Sequence, residues 1–163
     1  MSDPALHLPA IEAETPFDAA AVDAVVDAAF GPGRYAKTAE RLREGSTAIC
    51  GFVAREGRRV AGSVRLWPIT IGGTPAAFLG PIAVDATGRR SGLGAALVTR
   101  ACDCAAEQGL GVLLVGDLPY FGRFGFAPAP EARLPGPVDQ RRVLWRGQGD
   151  APAGNVMAAP ETR

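Results

Sequence analysis

The residues best able to do chemistry lie between positions 84 and 97, in the run Val84-Asp-Ala-Thr-Gly-Arg89-Arg90-Ser91-Gly92-Leu93-Gly94-Ala95-Ala-Leu97. A strand pattern runs into a loop, and the loop runs directly into the most regular helical pattern of the chain. Alternating glycines let a backbone come close to a ligand, and the first helical turn leaves N–H groups without intrahelical partners. Such an end attracts anions by about 0.3–1 kcal/mol, and up to ~2 where it is partly buried. With two arginines and a serine just ahead, the segment reads as a cradle for a pyrophosphate. Taken alone, the two glycines are equally those of ordinary helix-entry packing. A Walker-A loop would need a lysine, and a dinucleotide fingerprint a small residue where Leu97 stands. What survives is Arg89-x-x-Gly92-x-Gly94.

A second chemical segment is Gly116-Asp117-Leu-Pro-Tyr120-Phe121-Gly-Arg123-Phe124-Gly125-Phe126. It offers one phenol, one carboxylate and one guanidinium at the end of an apolar strand. Asp117 reads first as a turn-forming aspartate and second as a general base. Arg123 reads as the partner of an acidic neighbour that fixes a short helix. Trp67 and Trp145 read as packing residues, and Arg133, Arg141, Arg142 and Arg146 as a solvated face. The single histidine, His7, and the three cysteines, Cys50, Cys102 and Cys104, have no metal-ligand or disulfide spacing. No metal is expected, and the cysteines read as small buried hydrophobes.

The elements that must position these residues follow from periodicity and punctuation. A short strand spans Leu8 to Ala13. Thr15-Pro16 with Asp18 opens a helix whose buried face is Val22, Val25, Val26, Ala29 and Phe30. A second helix covers Tyr35 to Glu44. Strands over 48–55 and 59–68 flank the turn at Gly57, and a further strand covers 76–84. Gly80-Pro81 interrupts that last strand, because proline has no N–H for the ladder, so a bulge is expected there. A helix runs from Gly92 to Gln108 on a stripe of Leu93, Leu97, Ala101, Cys104 and Ala105. The apolar run Gly111–Val115 has the pattern of a strand covered on both faces. Weaker strand patterns lie near 132–134 and 141–145. The Gly-, Pro- and Ala-rich residues from Gly147 onward are expected to form a flexible tail, leaving one domain over 1–146.

Composition removes several function classes. The chain has 163 residues, 47% hydrophobic and 21% charged, which is globular composition. Lys+Arg and Asp+Glu both number 17, and a nucleic-acid binder would show a basic excess. No apolar run reaches bilayer-spanning length and no signal peptide is legible, so a cytoplasmic protein that binds neither membrane nor nucleic acid is expected.

The two chemical segments together resemble the GNAT superfamily of N-acetyltransferases. The first matches its Arg/Gln-x-x-Gly-x-Gly/Ala motif. The second is similar to the ending of one bacterial branch, in which a Tyr-Tyr or Tyr-Phe pair precedes Arg-Phe-Gly-Phe. The order of elements from Leu8 to Trp145 is similar as well. The resemblance implies an α/β fold with a mixed, mostly antiparallel central sheet flanked by helices. It implies that Arg89, Arg90, Ser91, Gly92, Leu93, Gly94 and Ala95 hold the pyrophosphate of acetyl-coenzyme A (acetyl-CoA). Ile82, Ala83 and Val84 would run beside the pantetheine arm, one of their N–H groups polarising the thioester carbonyl. Tyr120 and Phe121 would sit near the sulfur.

One departure bears on the catalytic assignment. The family's tyrosine acid lies four residues before the Gly of Gly-Phe, where this chain has Phe121. Tyr120 is the adjacent candidate, but one residue turns a helical side chain by about 100°; solvent is the other proton source. The implied reaction is acetyl transfer to a primary amine, on a small molecule or a peptide, by direct attack in a ternary complex. A lysine-like amine costs about 4.6 kcal/mol to neutralise at pH 7, at 1.36 kcal/mol per pH unit below its pKa of ~10.4. A base or a water chain is therefore expected, with Asp117, Glu40 and Glu44 as candidates. The alternatives are a non-catalytic CoA-binding sensor or partner module, and transfer from a longer acyl-CoA. Family habit adds a homodimer.

Overall fold

The structure is a computed structural model that describes residues 9–30, 41–43, 45–85 and 92–159. Thr15 opens the first helical segment. Its N–H (2.8 Å) and its hydroxyl (3.1 Å) both donate to the Asp18 carboxylate, which also accepts from Arg55 at 2.7 Å. The Thr15 N–H, then Arg55, hold the Asp18 carboxyl below its ordinary range although the residue is only 5% exposed. Helix α1 (Ala19–Phe30) follows and packs Val22, Val25 and Val26 on Val53, Val60 and Ala83 of the sheet. Ala29, assigned to that face by periodicity, is exposed. Most of the second expected helix lies outside the described residues; within it, Leu42 is buried.

Strands β1 (Ala10–Ala13), β2 (Cys50–Glu56), β3 (Arg59–Ile71) and β4 (Thr74–Val84) form an antiparallel meander. Gly57, at φ 63°, permits the tight turn between β2 and β3. A bulge at Ala54/Arg55 shifts the pleat, so Val60 faces α1, whereas Gly62, Val64 and Leu66 face the other side. Beyond β4 come α2 (Leu93–Glu107) and β5 (Val112–Val115), which pairs in parallel with β4. Then follow α3 (Leu118–Phe121) and four further strands: β6 (Ala127–Pro128), β7 (Ala132–Arg133), β8 (Val143–Arg146) and β9 (Gly154–Ala158). The sheet order is β1-β2-β3-β4-β5-β8-β6, with β9 on β3 and β7 on β9. The result is the mixed, mostly antiparallel sheet flanked by helices that the sequence implies.

The tail expected from Gly147 onward instead carries β9. It takes the edge of β3 that β2 leaves free, pairing Val156 with Ile71 and Ala158 with Ile69, and Val156 is 1% exposed. Its apolar residues are too few to register as a strand by pattern. Its ladder partner lies more than eighty positions upstream. Helix α2 covers the opposite face of the sheet from α1. It lands on Gly62, where a Cβ would stand 3.0 Å from Leu97 Cδ1 and 3.4 Å from Leu93 Cδ2. The missing side chain lets the first turns of α2 settle close to β3 and β4. Among the described residues, no helix is long and apolar enough to cross a membrane.

Candidate active site

β4 and β5 pair only at Ala77–Val112 and Phe78–Leu113, and beyond that point they diverge. The cause lies in β4. Gly80 and Pro81 together oppose the single residue Arg65 on β3, since Val64 pairs with Ile82 and Leu66 with Leu79. This is the bulge expected at Gly80-Pro81, and bulges bend and twist the strand that carries them. Gly80 has φ 148°, a conformation open in practice to glycine alone. Its carbonyl accepts a 2.6 Å hydrogen bond from the buried Trp67 indole N–H. Trp67, read from sequence as a packing residue, also pins the bulge; no local pattern signals that contact. β5 is meanwhile drawn the other way by its full ladder to β8.

The divergence leaves a wedge with one edge of β4 exposed. The Ala77 N–H donates toward β5, to Gly111 O at 2.9 Å, while the Asp85 N–H donates toward β3, to Ala61 O at 2.8 Å. Strand alternation across the bulge then turns the N–H and C=O of Ile82 and Val84 into the wedge, and those of Ala83 toward β3. The side chains agree: Ile82 and Val84 lie on the α2 face and Ala83 on the α1 face. Of the three expected arm-binding residues, two therefore present backbone that has no strand partner among the described residues.

The N-terminus of α2 stands over the mouth of this wedge. Gly92 caps the helix at φ 78°, with open space where a Cβ would be. The first intrahelical bond runs from Ala96 N to Gly92 O at 3.1 Å, leaving the N–H groups of Leu93, Gly94 and Ala95 ahead of the ladder. At Gly94 a Cβ would lie 3.7 Å from Val84 Cγ2 and 3.5 Å from the Tyr120 hydroxyl. The two glycines thus serve different ends: Gly92 satisfies the backbone, and Gly94 keeps the space between β4, α2 and α3 clear. A narrow chain ending in a phosphate fits this arrangement of a bare strand edge, free N–H groups and a side-chain-free floor. Arg89, Arg90 and Ser91 lie outside the described residues.

Tyr120 and Phe121 part company on α3. Tyr120 is 37% exposed and its hydroxyl reaches across the wedge toward Gly94 and Val84. Phe121 turns inward, over Gly116, which has no Cβ to obstruct its ring, and edge-on to Phe126 at 5.9 Å. Phe121 therefore braces α3 against the end of β5, in the same cluster as Ile82 and Val84, while the Tyr120 hydroxyl reaches toward Gly94. Arg123 does not take the acidic partner expected of it. Its guanidinium lies 4.3 Å over the Tyr120 ring and 5.1 Å from that of Phe124. This stack steadies the phenol ring.

Of the candidate bases, only Asp117 lies among the described residues. Asp117 caps α3 and is 73% exposed, with Arg142 at 3.4 Å; Glu40 and Glu44 lie outside the described residues. Sequence reasoning missed Glu14. It grips Arg65, beside the bulge, with two hydrogen bonds of 3.0 and 2.7 Å. The pair passes over Gly51, where a Cβ would collide with Glu14 Oε1. Arginine, glycine and glutamate are far apart in sequence, so only the β1-β2-β3 register brings them together. Burial, then the neighbouring Cys104 thiol, push the Cys50 thiol above its ordinary value, so it is protonated and unsuited to nucleophilic attack. Among the described residues, no three His, Cys, Asp or Glu side chains converge as a metal site would require.

Known proteins share this arrangement. The family model described as the Acetyltransferase (GNAT) family matches residues 19–126, which span α1, the bulged strand, α2, β5 and α3. The N-acetyltransferase YhbS of Escherichia coli K12, itself uncharacterized, is 34% identical over 145 residues, or 86% of this chain and 83% of that protein. The crystal structure of E. coli YhbS in complex with CoA has a TM-score of 0.81 at 29% identity, covering 98% of this chain and 93% of that one. A GNAT family acetyltransferase from Brucella melitensis in complex with acetyl-CoA has a TM-score of 0.72 at 29% identity, covering 93% and 96%. With the splayed strands, the glycine-led helix and a family match over most of the chain in agreement, this protein belongs to the GNAT family of acetyltransferases.

Proposed function

We propose that this protein transfers an acetyl group from acetyl-CoA to a primary amine by direct attack in a ternary complex. The observation that carries the reading is the bare edge of β4, with the N–H groups of Ile82 and Val84 facing a wedge that α2 closes at its mouth. Acetyl-CoA supplies the activated acyl group as a thioester. Val84 would bond the pantetheine arm as a missing strand would. Ile82, next to the bulge, would aim its N–H at the thioester carbonyl oxygen and stabilise the charge that develops there. The N–H groups of Leu93, Gly94 and Ala95 would take the pyrophosphate, helped by the Arg89-Arg90-Ser91 segment ahead of them. Tyr120, with its hydroxyl near Gly94 at the start of α2, would wall the arm, and the departing thiolate would take its proton from solvent. The acceptor would be an amine of a small molecule or peptide.

Calorimetry with acetyl-CoA on the wild type and on Gly94→Glu tests the cradle. Position 94 is ordinary helix, so the variant folds, but its side chain and charge enter the wedge. Micromolar binding to the wild type, weakened at least tenfold in the variant, is the expected result. No binding to the wild type overturns the reading. Release of free thiol with an amine panel tests the transfer, and binding without turnover of any amine or longer acyl donor would mark a CoA-binding module instead.

A further inference from the structure

The three cysteines take no part in the proposed transfer, and the fold sorts them. Cys102 is 2% exposed and turns toward Arg146 on β8. Cys50 and Cys104 are half-buried and pack on the same cluster, one from the first position of β2 and the other from the C-terminal part of α2. They are more than fifty positions apart in sequence, and the crossing of α2 over β2 brings them together. The Arg100 guanidinium lies 4.9 Å from the centroid of the Phe52 ring. Cys104 follows Arg100 by four residues on the same helix face, about 6 Å along the axis. Cys50 precedes Phe52 by two residues on the same strand face, about 6.7 Å along the strand. Matched steps from the first contact therefore lead to the second, and the Cys104 thiol lies within hydrogen-bonding reach of the Cys50 thiol. Gln108 Nε2 donates to Cys104 Sγ at 3.5 Å from the exposed end of the helix.

Thiols that face each other from two packed elements have the geometry a disulfide requires. We propose that Cys50 and Cys104 are a reversible redox modification site, a dithiol that a small organic disulfide oxidises to an intramolecular cross-link in the folded chain. Cys104, as a thiolate, attacks one sulfur of the reagent. A mixed disulfide forms, and the first reagent thiolate leaves and takes up the proton that Cys104 released. Cys50, kept as a thiol by burial, resolves the mixed disulfide. It gives up its proton and attacks the Cys104 sulfur, and the second reagent thiolate leaves and takes up that proton. Two protein thiols are oxidised to one disulfide, and one reagent disulfide is reduced to two thiols. The cross-link ties α2 to β2 at the end of the helix away from Gly92 and Gly94, so it fastens the helix to the sheet without entering the wedge.

The test is incubation of the folded full chain in mixtures of oxidised and reduced glutathione, followed by acid quenching, alkylation and peptide mass spectrometry. The expected product joins the peptides of Cys50 and Cys104 and leaves Cys102 alkylated. Its thermal unfolding midpoint should lie above that of the reduced protein by roughly 5–10 °C, and dithiothreitol should reverse the shift. Cys50→Ser and Cys104→Ser should each abolish the link and the shift, whereas Cys102→Ser keeps both. The link and the shift are read first on the unaltered chain, so a variant that fails to fold does not decide the outcome. No link in fully oxidised glutathione, a link through Cys102, or one that appears only in urea overturns the proposal. So does an oxidised form no more stable than the reduced one, since thiols already facing each other must close without distorting the fold.

Discussion

Tyr120 and Phe121 show how one residue of offset divides labour on a short helix. The ring that turns inward braces α3 over Gly116, and the ring that turns outward meets the wedge, steadied by Arg123. A general acid contributes about 10²–10⁴ to the rate. The hydroxyl of Tyr120 reaches toward Gly94 at the start of α2, and with solvent as the proton source Tyr120→Phe is expected to leave kcat within about threefold of wild type, well short of a general acid's contribution. Tyr120→Ala removes the wall itself. Loss of about 1–1.5 kcal/mol of aromatic contact should raise the KM for acetyl-CoA roughly tenfold, with kcat little changed. Steady-state kinetics on both variants decide the matter, and a kcat loss of a hundredfold in Tyr120→Phe would make the phenol the acid.

At the scale of elements, the wedge depends on a bulge that a distant indole holds in place. Trp67→Phe keeps a ring in the core but leaves the Gly80 carbonyl without its donor. An unmet buried acceptor costs about 1–3 kcal/mol, which urea denaturation would register. The bulge also sets which N–H groups face the wedge, so affinity for acetyl-CoA should fall in the same variant by more than the stability loss accounts for. Equal affinity in wild type and variant would mean that β4 holds its bend without the tryptophan. Two opposed pulls open the strands, the bulge in β4 and the ladder from β5 to β8.

Across the whole molecule, the C-terminal segment closes one side of the sheet. β9 extends β3 beyond the end of β2, carries β7 on its other edge, and buries Val156 beside Ile69, Ile71 and Leu134. A chain ending at Ala153 loses that ladder and the burial of a valine, together about 3 kcal/mol. The midpoint of thermal unfolding should drop by about 6–12 °C for a domain of this size. An unchanged midpoint would show that the strand adds nothing to the fold.

The sequence by itself determined what local chemistry can specify. The 3.6-residue stripe produced α2, proline's missing N–H located the bulge at Gly80-Pro81, and alternating glycines marked the helix entry that we propose as the cradle. The apolar run at β5 announced a strand covered on both faces, and Val112 and Leu114 do face one cluster and Leu113 the other. Each of these depends on a few consecutive residues. Tertiary structure alone decided what depends on register between distant segments: the Trp67 grip on Gly80, the Glu14–Arg65 tie over Gly51, the inward turn of Phe121 and the place of β9. It also separated two glycines that look alike in sequence, Gly92 required by its dihedral angle and Gly94 an ordinary helical position that leaves the wedge clear. Backbone conformation is written into neighbouring residues, whereas a contact exists only once the chain has brought both of its partners together.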